Sequence, residues 1–230
     1  MEIETIGYLR TCFGEKFAVP RQPGLCPSAW GVLEFLPGYR SPEAVRGLEG
    51  FSHVWLVFGF HKTADEGWHP TVRPPRLGGN NRVGVFASRS TYRPNGLGLS
   101  LVKLERISME REEGMEPPIL HFSGVDLVDG TPVYDVKPYI PFIEALPDAV
   151  GGYAAEPPVR VEVKVGEDAE ENFAKLDERS RRVILEVLSL DPRPAISQDD
   201  DAKAYGALLC GVNVMFRFEG GTCSITAVSG

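Results

Sequence analysis

Along the first 140 or so positions, apolar residues fall in short runs separated by turn-forming residues. Ile3–Arg10, Trp30–Leu36, His53–Phe60, Val83–Ser88, Leu97–Ile107, Ile119–Val125 and Pro132–Val136 are mostly rich in Val, Ile, Leu or aromatic side chains, which suits strands. Gly and Pro, 25 and 19 of 230 residues, punctuate them. Such a series predicts a barrel or sandwich, and closure would remove unpaired edges. A single short helix is expected to start at Ser41-Pro42-Glu43-Ala44, with Ser41 as N-cap and Pro42 in the first helical position.

Around Pro147–Pro158 the pattern changes, with Gly151-Gly152 and Pro157-Pro158 reading as a linker. Beyond it, Val159, Val161, Val163 and Val165 alternate with Arg160, Glu162 and Lys164, as in a half-buried strand. Glu167–Leu190 is helical in character, with a break expected near Ser180. Val212, Val214, Phe216 and Phe218 alternate again before a Glu219-Gly220-Gly221 hairpin turn. The expected architecture is therefore mainly β: a barrel domain over residues 1–150 and a small α+β C-terminal domain, a β-α-β-β unit, over 151–230.

Composition narrows the function classes. Apolar residues make up 43% of the chain, enough for a real core, and the net charge is −8, so bulk charge cannot recruit nucleic acid. Locally the balance reverses. Arg73, Arg76, Arg82, Arg89, Arg93, Lys103 and Arg106 face only Glu105 over residues 73–106, seven positive minus one negative, or +6. A run of this kind is often just a solvated face. Here the arginines sit among Pro74-Pro75, Gly78-Gly79-Asn80-Asn81 and Pro94-Asn95-Gly96, rigid turns that suit a phosphate-contacting rim. Arg73, Arg76, Arg82 and Arg93 are the candidate RNA contacts.

No Rossmann GxGxxG, Walker loop or GxSxG is present. Cys12, Cys26, Cys210 and Cys223 lack CxxC spacing, and His61 and His69 are eight apart, so neither a metal site nor a disulfide framework is expected. His53 and His121 lie within apolar strands and read as wall or core histidines. The start Met1-Glu2-Ile3-Glu4 has no export-signal character, and no run reaches the length of a membrane span, so a soluble cytoplasmic protein is expected. Two stretches are dense in polar residues on constrained backbone. Pro20-Arg21-Gln22-Pro23-Gly24 offers a guanidinium fork and an amide, or is an ordinary exposed loop. Asp126–Asp135 holds three carboxylates around an Asp-Gly turn, or is a plain hairpin.

Four ordered blocks carry a resemblance. They are Phe17–Gly24; Val72–Asn80; Val85–Asn95; and Asp126–Pro132 with Lys137-Pro138-Tyr139, supported by Asp191-Pro192-Arg193-Pro194 in the tail. Together they resemble the TrmO (TsaA-like) family of SAM-dependent tRNA adenine-N6 methyltransferases. The resemblance implies a non-Rossmann β-barrel that binds S-adenosylmethionine (SAM), and a homodimer with cofactor near the subunit interface. It also implies N6-methylation of threonylcarbamoyl-adenosine beside the anticodon, so that the partner is the tRNA anticodon arm. Pro20, Arg21, Gln22, His61, Lys62, Arg89, Leu99 and the Asp129–Gly130–Thr131–Pro132 turn would contact SAM. Lys62 stands where the family pattern has Gln, and Trp30, Gly96 and Ile196 also depart from it. A carboxylate taking the ureido proton would aid the transfer; Asp129 is the first candidate and Asp126 the second. The alternatives are a non-catalytic SAM- or RNA-binding barrel, or a SAM enzyme acting on a protein or small molecule.

Overall fold

The structure, a computed structural model, describes residues 2–194 and 203–230; Ile196 lies outside the described residues. Six strands close into an antiparallel barrel: β1 (Gly7–Thr11), β2 (Trp30–Phe35), β3 (His53–Gly59), β6 (Leu97–Ser108), β7 (Ile119–Ser123) and β8 (Thr131–Pro138), in the order β1-β2-β7-β6-β3-β8. Two short strands, β4 (Thr71–Val72) and β5 (Val83–Gly84), pair separately in the long loop between β3 and β6.

The alternation read in the sequence is what fills the barrel. Leu9, Leu33, Val54, Leu56, Val102, Leu120, Phe122 and Val133 turn inward and are buried. Gly98 is required on β6 because an added Cβ would stand 2.2 Å from the Phe58 ring.

After helix α1 (Pro141–Glu144) come β9 (Glu162–Val165), helices α2 (Glu167–Ala174) and α3 (Glu178–Ser189), then β10 (Ala204–Leu209), β11 (Val212–Glu219) and β12 (Thr222–Ser229). These strands form a sheet in the order β10-β11-β12-β9, with β9 parallel to β12. The helical run breaks at Lys175–Asp177, just before Ser180, because Asp177 caps α3 by accepting the Ser180 N–H (3.0 Å). Gly220 and Gly221, at φ +55° and +81°, make the tight β11–β12 turn.

Several expectations need correction. The first strand begins at Gly7, not Ile3. Val83–Ser88 is a strand only over Val83–Gly84; Val85–Ala87 is a 3-10 turn. The Ser41 segment forms a four-residue 3-10 turn, Pro42–Val45, and the Ser41 side chain makes no cap. Strand β10 was not anticipated, because Ala204, Gly206 and Ala207 give it little hydrophobic signal.

The C-terminal sheet packs directly on the barrel. Cys210 N–H donates to Cys12 O (2.8 Å), continuing an antiparallel bridge between Phe13 and Leu209. Glu186 on α3 accepts from the Ser28 N–H (2.9 Å) and hydroxyl (2.8 Å), and Arg179 pairs with Glu105 at 3.0 and 3.2 Å. Buried residues of the two halves form one continuous apolar cluster.

Candidate active site

The Pro20–Gly24 loop is fixed at both ends. Phe17, just before it, stacks on Tyr205 and Phe216 of the C-terminal sheet, with both centroid distances 6.3 Å. Ala18 then turns the chain at φ +67°. At the far end, Gly24 N–H donates to Gly124 O (2.8 Å), tying the loop to the segment that carries Asp126. Within this frame Gln22 accepts a hydrogen bond from the Arg89 guanidinium. Arg21 lies in the fields of Arg76 and Asp191; partial burial is the main influence holding its pKa below the ordinary arginine value.

Asp126 and Asp129 occupy one turn but sit in different surroundings. Asp126 Oδ1 accepts the Ser100 hydroxyl at 2.7 Å, from β6. Burial pushes its carboxyl up to about 6, against the opposing pull of Ser100 and the positive charge of Arg89. Asp129 Oδ1 accepts the Thr11 N–H (2.9 Å), its own N–H donates to Phe13 O (2.8 Å), and Gly130 N–H reaches Leu9 O (2.9 Å). Asp129 thus ties the turn to the end of β1 and remains solvent-exposed. Thr131 is buried and closes the turn by donating to Val128 O at 2.6 Å. Pro132 pairs with Tyr8 at the start of β8. His61 lies against the Asp129 backbone, and burial followed by the Lys62 charge lowers its pKa, favouring the neutral ring at pH 7. Lys62 is exposed, and its carbonyl accepts from Lys16 (3.3 Å).

Leu99 is not brought into this cluster. It faces outward beside Val57, whereas its neighbour Ser100 turns inward to Asp126. The two residues that hold the carboxylates, Thr11 and Ser100, were missed by sequence reasoning. Each is a lone hydroxyl at an ordinary strand position, and only strand pairing shows what it faces.

The basic run is smaller than its residue count. Arg106 lies far along β6, held by Glu112 at 2.6 and 2.8 Å, and Lys103 pairs across β3 with His53. Arg93 donates to Val85 O (3.2 Å) and Ser88 O (2.7 Å), so it braces the loop from within. Arg73 is exposed, Arg82 donates to the Thr71 hydroxyl (2.9 Å), and Arg76 reaches Glu156 O in the linker. His53 and His121 stay on barrel strands, the latter 3.1 Å from Glu112. A cavity of about 600 Å³, lined by Phe35, Tyr39, Val45, Leu48 and Val136 among others, opens at the other end of the barrel, away from Asp126.

Among the described residues, no group of three or more His, Cys, Asp or Glu could hold a metal ion, and no helix is long and apolar enough to cross a membrane. The cluster suits SAM chemically. Arg21 and Arg89 are cations for a carboxylate, Gln22 and the backbone of the 129–132 turn offer both donors and acceptors, and all stand on braced loops.

Known proteins resemble the chain over nearly its whole length. The tRNA-methyltransferase O N-terminal domain family matches residues 8–145, and the TrmO C-terminal domain family matches residues 158–230. A tRNA (adenine(37)-N6)-methyltransferase of Escherichia coli (strain K12) is 48% identical over 94% of this chain and 92% of its own. A Pseudomonas aeruginosa relative, provisionally named an S-adenosylmethionine-dependent methyltransferase, is 45% identical over 94% of this chain and 92% of its own. The crystal structure of TrmO from Pseudomonas aeruginosa superposes with a TM-score of 0.80 and 38% identity, covering 100% of this chain and 98% of that one. With both its barrel and its C-terminal domain matched, this chain belongs to the tRNA-methyltransferase O family.

Proposed function

We propose that the protein transfers the methyl group of SAM to N6 of a tRNA adenosine, specifically the threonylcarbamoyl-adenosine beside the anticodon. The family and the names of its relatives support SAM-dependent tRNA adenine-N6 methylation. One observation carries the finer reading: a half-buried carboxylate, Asp126, held by Ser100 with its pKa raised to about 6.

An exocyclic nitrogen acylated by a ureido carbonyl has a delocalised lone pair and an N–H more acidic than that of an ordinary amine. A base poised near neutrality fits that proton. Asp126 is ionised at pH 7, yet basic enough to accept it. This reverses the order expected from sequence: Asp129 spends one oxygen on Thr11 N–H and serves the turn, and Asp126 becomes the base. Bound SAM supplies a methyl group already activated on sulfonium. Arg21, Gln22 and Arg89 would hold it with Pro20, His61, Lys62 and the Asp129–Pro132 turn. Exposed Arg73, with Arg76 and Arg82, gives a cationic rim for phosphates and for the substrate's threonine carboxylate.

The reading includes a two-fold homodimer working in the cytoplasm, where tRNA is modified. The outer wall of the barrel carries Leu97, Leu99, Leu101, Val57 and Trp55 side by side. Leu99 is 53% exposed, and α1 beside the wall leaves Phe142 88% exposed, an apolar surface that a second copy would cover. Burial there would also let Leu99 complete a cofactor site it cannot reach through its own strand.

The test uses purified protein, methyl-labelled SAM and tRNA with or without the threonylcarbamoyl group, followed by nucleoside analysis. Label is expected on N6 of the modified adenosine alone. Label on protein, or equal labelling of both tRNAs, would overturn the reading.

A further inference from the structure

The loop that carries the arginines also carries aromatic side chains in water. Trp68 is 53% exposed and Phe86 76% exposed. Neither belongs to the cofactor cluster, and neither packs into the core. Both lie at one end of the β4–β5 ribbon. Its register pairs Thr71 with Gly84 and Val72 with Val83, and a further bond from Val85 N–H to Pro70 O (3.0 Å) continues it. Phe86 is thereby brought to the same end as Trp68 and His69.

That end is rigid. The Val85–Ala87 turn is closed by Ser88, whose N–H and hydroxyl reach Val85 O at 3.2 and 2.8 Å. Arg93 braces the same turn from within, and its guanidinium carbon lies 6.0 Å from the centre of the Phe86 ring. His69 N–H donates to Tyr92 O (3.2 Å), and the two rings lie 4.9 Å apart. Tyr92 is anchored in turn by its hydroxyl on Glu66 (2.9 Å). Three residues beyond Phe86 stands Arg89, on Gln22 and in the field of Asp126.

We propose that Trp68 and Phe86 form a stacking platform for unpaired anticodon-loop bases next to the target adenosine. The proposal rests on the tRNA reading given above. Single-stranded RNA exposes flat apolar faces that stack on aromatics, while its phosphates need cations. Exposed rings on a braced ribbon, between Arg73, Arg76 and Arg82 on one side and Arg89 on the other, offer both at once. A ring on a hydrogen-bonded backbone, with only two side-chain torsions to fix, loses little conformational freedom when a base settles on it. The platform would add an affinity term that salt does not screen, and would favour an open loop over a paired stem.

The experiment measures binding of an anticodon stem-loop RNA, with 2-aminopurine in its loop, to the full-length protein at low and high salt. Phe86→Ala and Trp68→Ala are each expected to weaken binding roughly 5- to 100-fold at both salt concentrations, with loss of 2-aminopurine quenching and unchanged SAM affinity. Phe86→Tyr should bind like wild type, and Phe86→Leu like the alanine variant. Wild-type affinity in Phe86→Ala and Trp68→Ala would overturn the platform, as would full retention in Phe86→Leu. A change in oligomeric state in Phe86→Ala, accounting for the lost binding, would instead make this surface a contact between copies. Methyl transfer to tRNA by the wild type separates the two claims. If transfer occurs and the variants bind normally, only the platform fails; if no transfer occurs, the tRNA reading fails and takes the platform with it.

Discussion

Asp126 and Asp129 stand three residues apart, and burial together with backbone contacts divides their work. For Asp126, a pKa raised from 3.8 to about 6 means that folding favours its neutral form. The stability linked to that proton is fully present below pH 4 and is lost as pH rises through 6. Ionised Asp126 therefore costs the fold about 2–3 kcal/mol at pH 7. Asp126→Asn is expected to melt at a higher temperature than wild type at pH 7, with the difference vanishing below pH 4. Calorimetry across this range checks it. Single-turnover methyl transfer at saturating SAM and tRNA should fall by ~10²–10⁴-fold in the same variant. The wild-type rate should rise through pH 6 and level off above it. Asp129→Asn keeps an acceptor for Thr11 N–H and should stay within about tenfold of the wild-type rate, the opposite of a base variant. For the cofactor, Arg21→Ala and Arg89→Ala are expected to weaken SAM binding, read by titration calorimetry, without unfolding the protein. Arg89→Ala should show the larger effect, because it also frees Gln22 and removes the charge beside Asp126.

At the scale of elements, the C-terminal sheet braces the Pro20–Gly24 loop, the proposed cofactor loop, through Phe17. Its ring lies against Tyr205 and Phe216, and three residues later the chain presents Pro20, Arg21 and Gln22. Phe17→Ala is expected to cost about 2–3 kcal/mol of stability, measured by denaturant unfolding. It should also weaken SAM binding although Phe17 belongs to no contact set. Normal SAM affinity in a destabilised Phe17→Ala protein would show that the loop holds its shape alone. Period-2 alternation made the barrel strands legible, because each buries one face: Leu9, Leu33 and Leu56 are inward wherever the pattern put them. Val83–Ser88 misled for a physical reason. Arg93 and Ser88 take the Val85 carbonyl that a longer strand would have given to a neighbour. The arginine count likewise hides how the charges are placed, since Arg93 donates to loop carbonyls and Arg106 pairs with Glu112, and a sequence does not display such partners. The proposed preference for Asp126 over Asp129 rests on Ser100, which β6 brings to it from 26 residues away, and a sequence does not display that contact.

For the whole molecule, a net charge of −8 with a cationic rim implies steered and salt-sensitive RNA binding. Charge reversal at Arg73 should weaken tRNA binding and flatten its dependence on salt while SAM binding stays intact, as filter binding at several salt concentrations would record. Light scattering is expected to give a dimer at micromolar concentration, and Phe142→Asp or Leu99→Asp should shift it toward a particle of 25.2 kDa. The measurement closest to the central claim is nucleoside mass spectrometry of tRNA from cells lacking this protein, complemented with wild type or Asp126→Asn. The expected result is loss of N6-methylated threonylcarbamoyl-adenosine, accumulation of its unmethylated form, and restoration by wild type but not by Asp126→Asn. An unchanged modification pattern in the deletion, or full restoration by Asp126→Asn, would contradict the account.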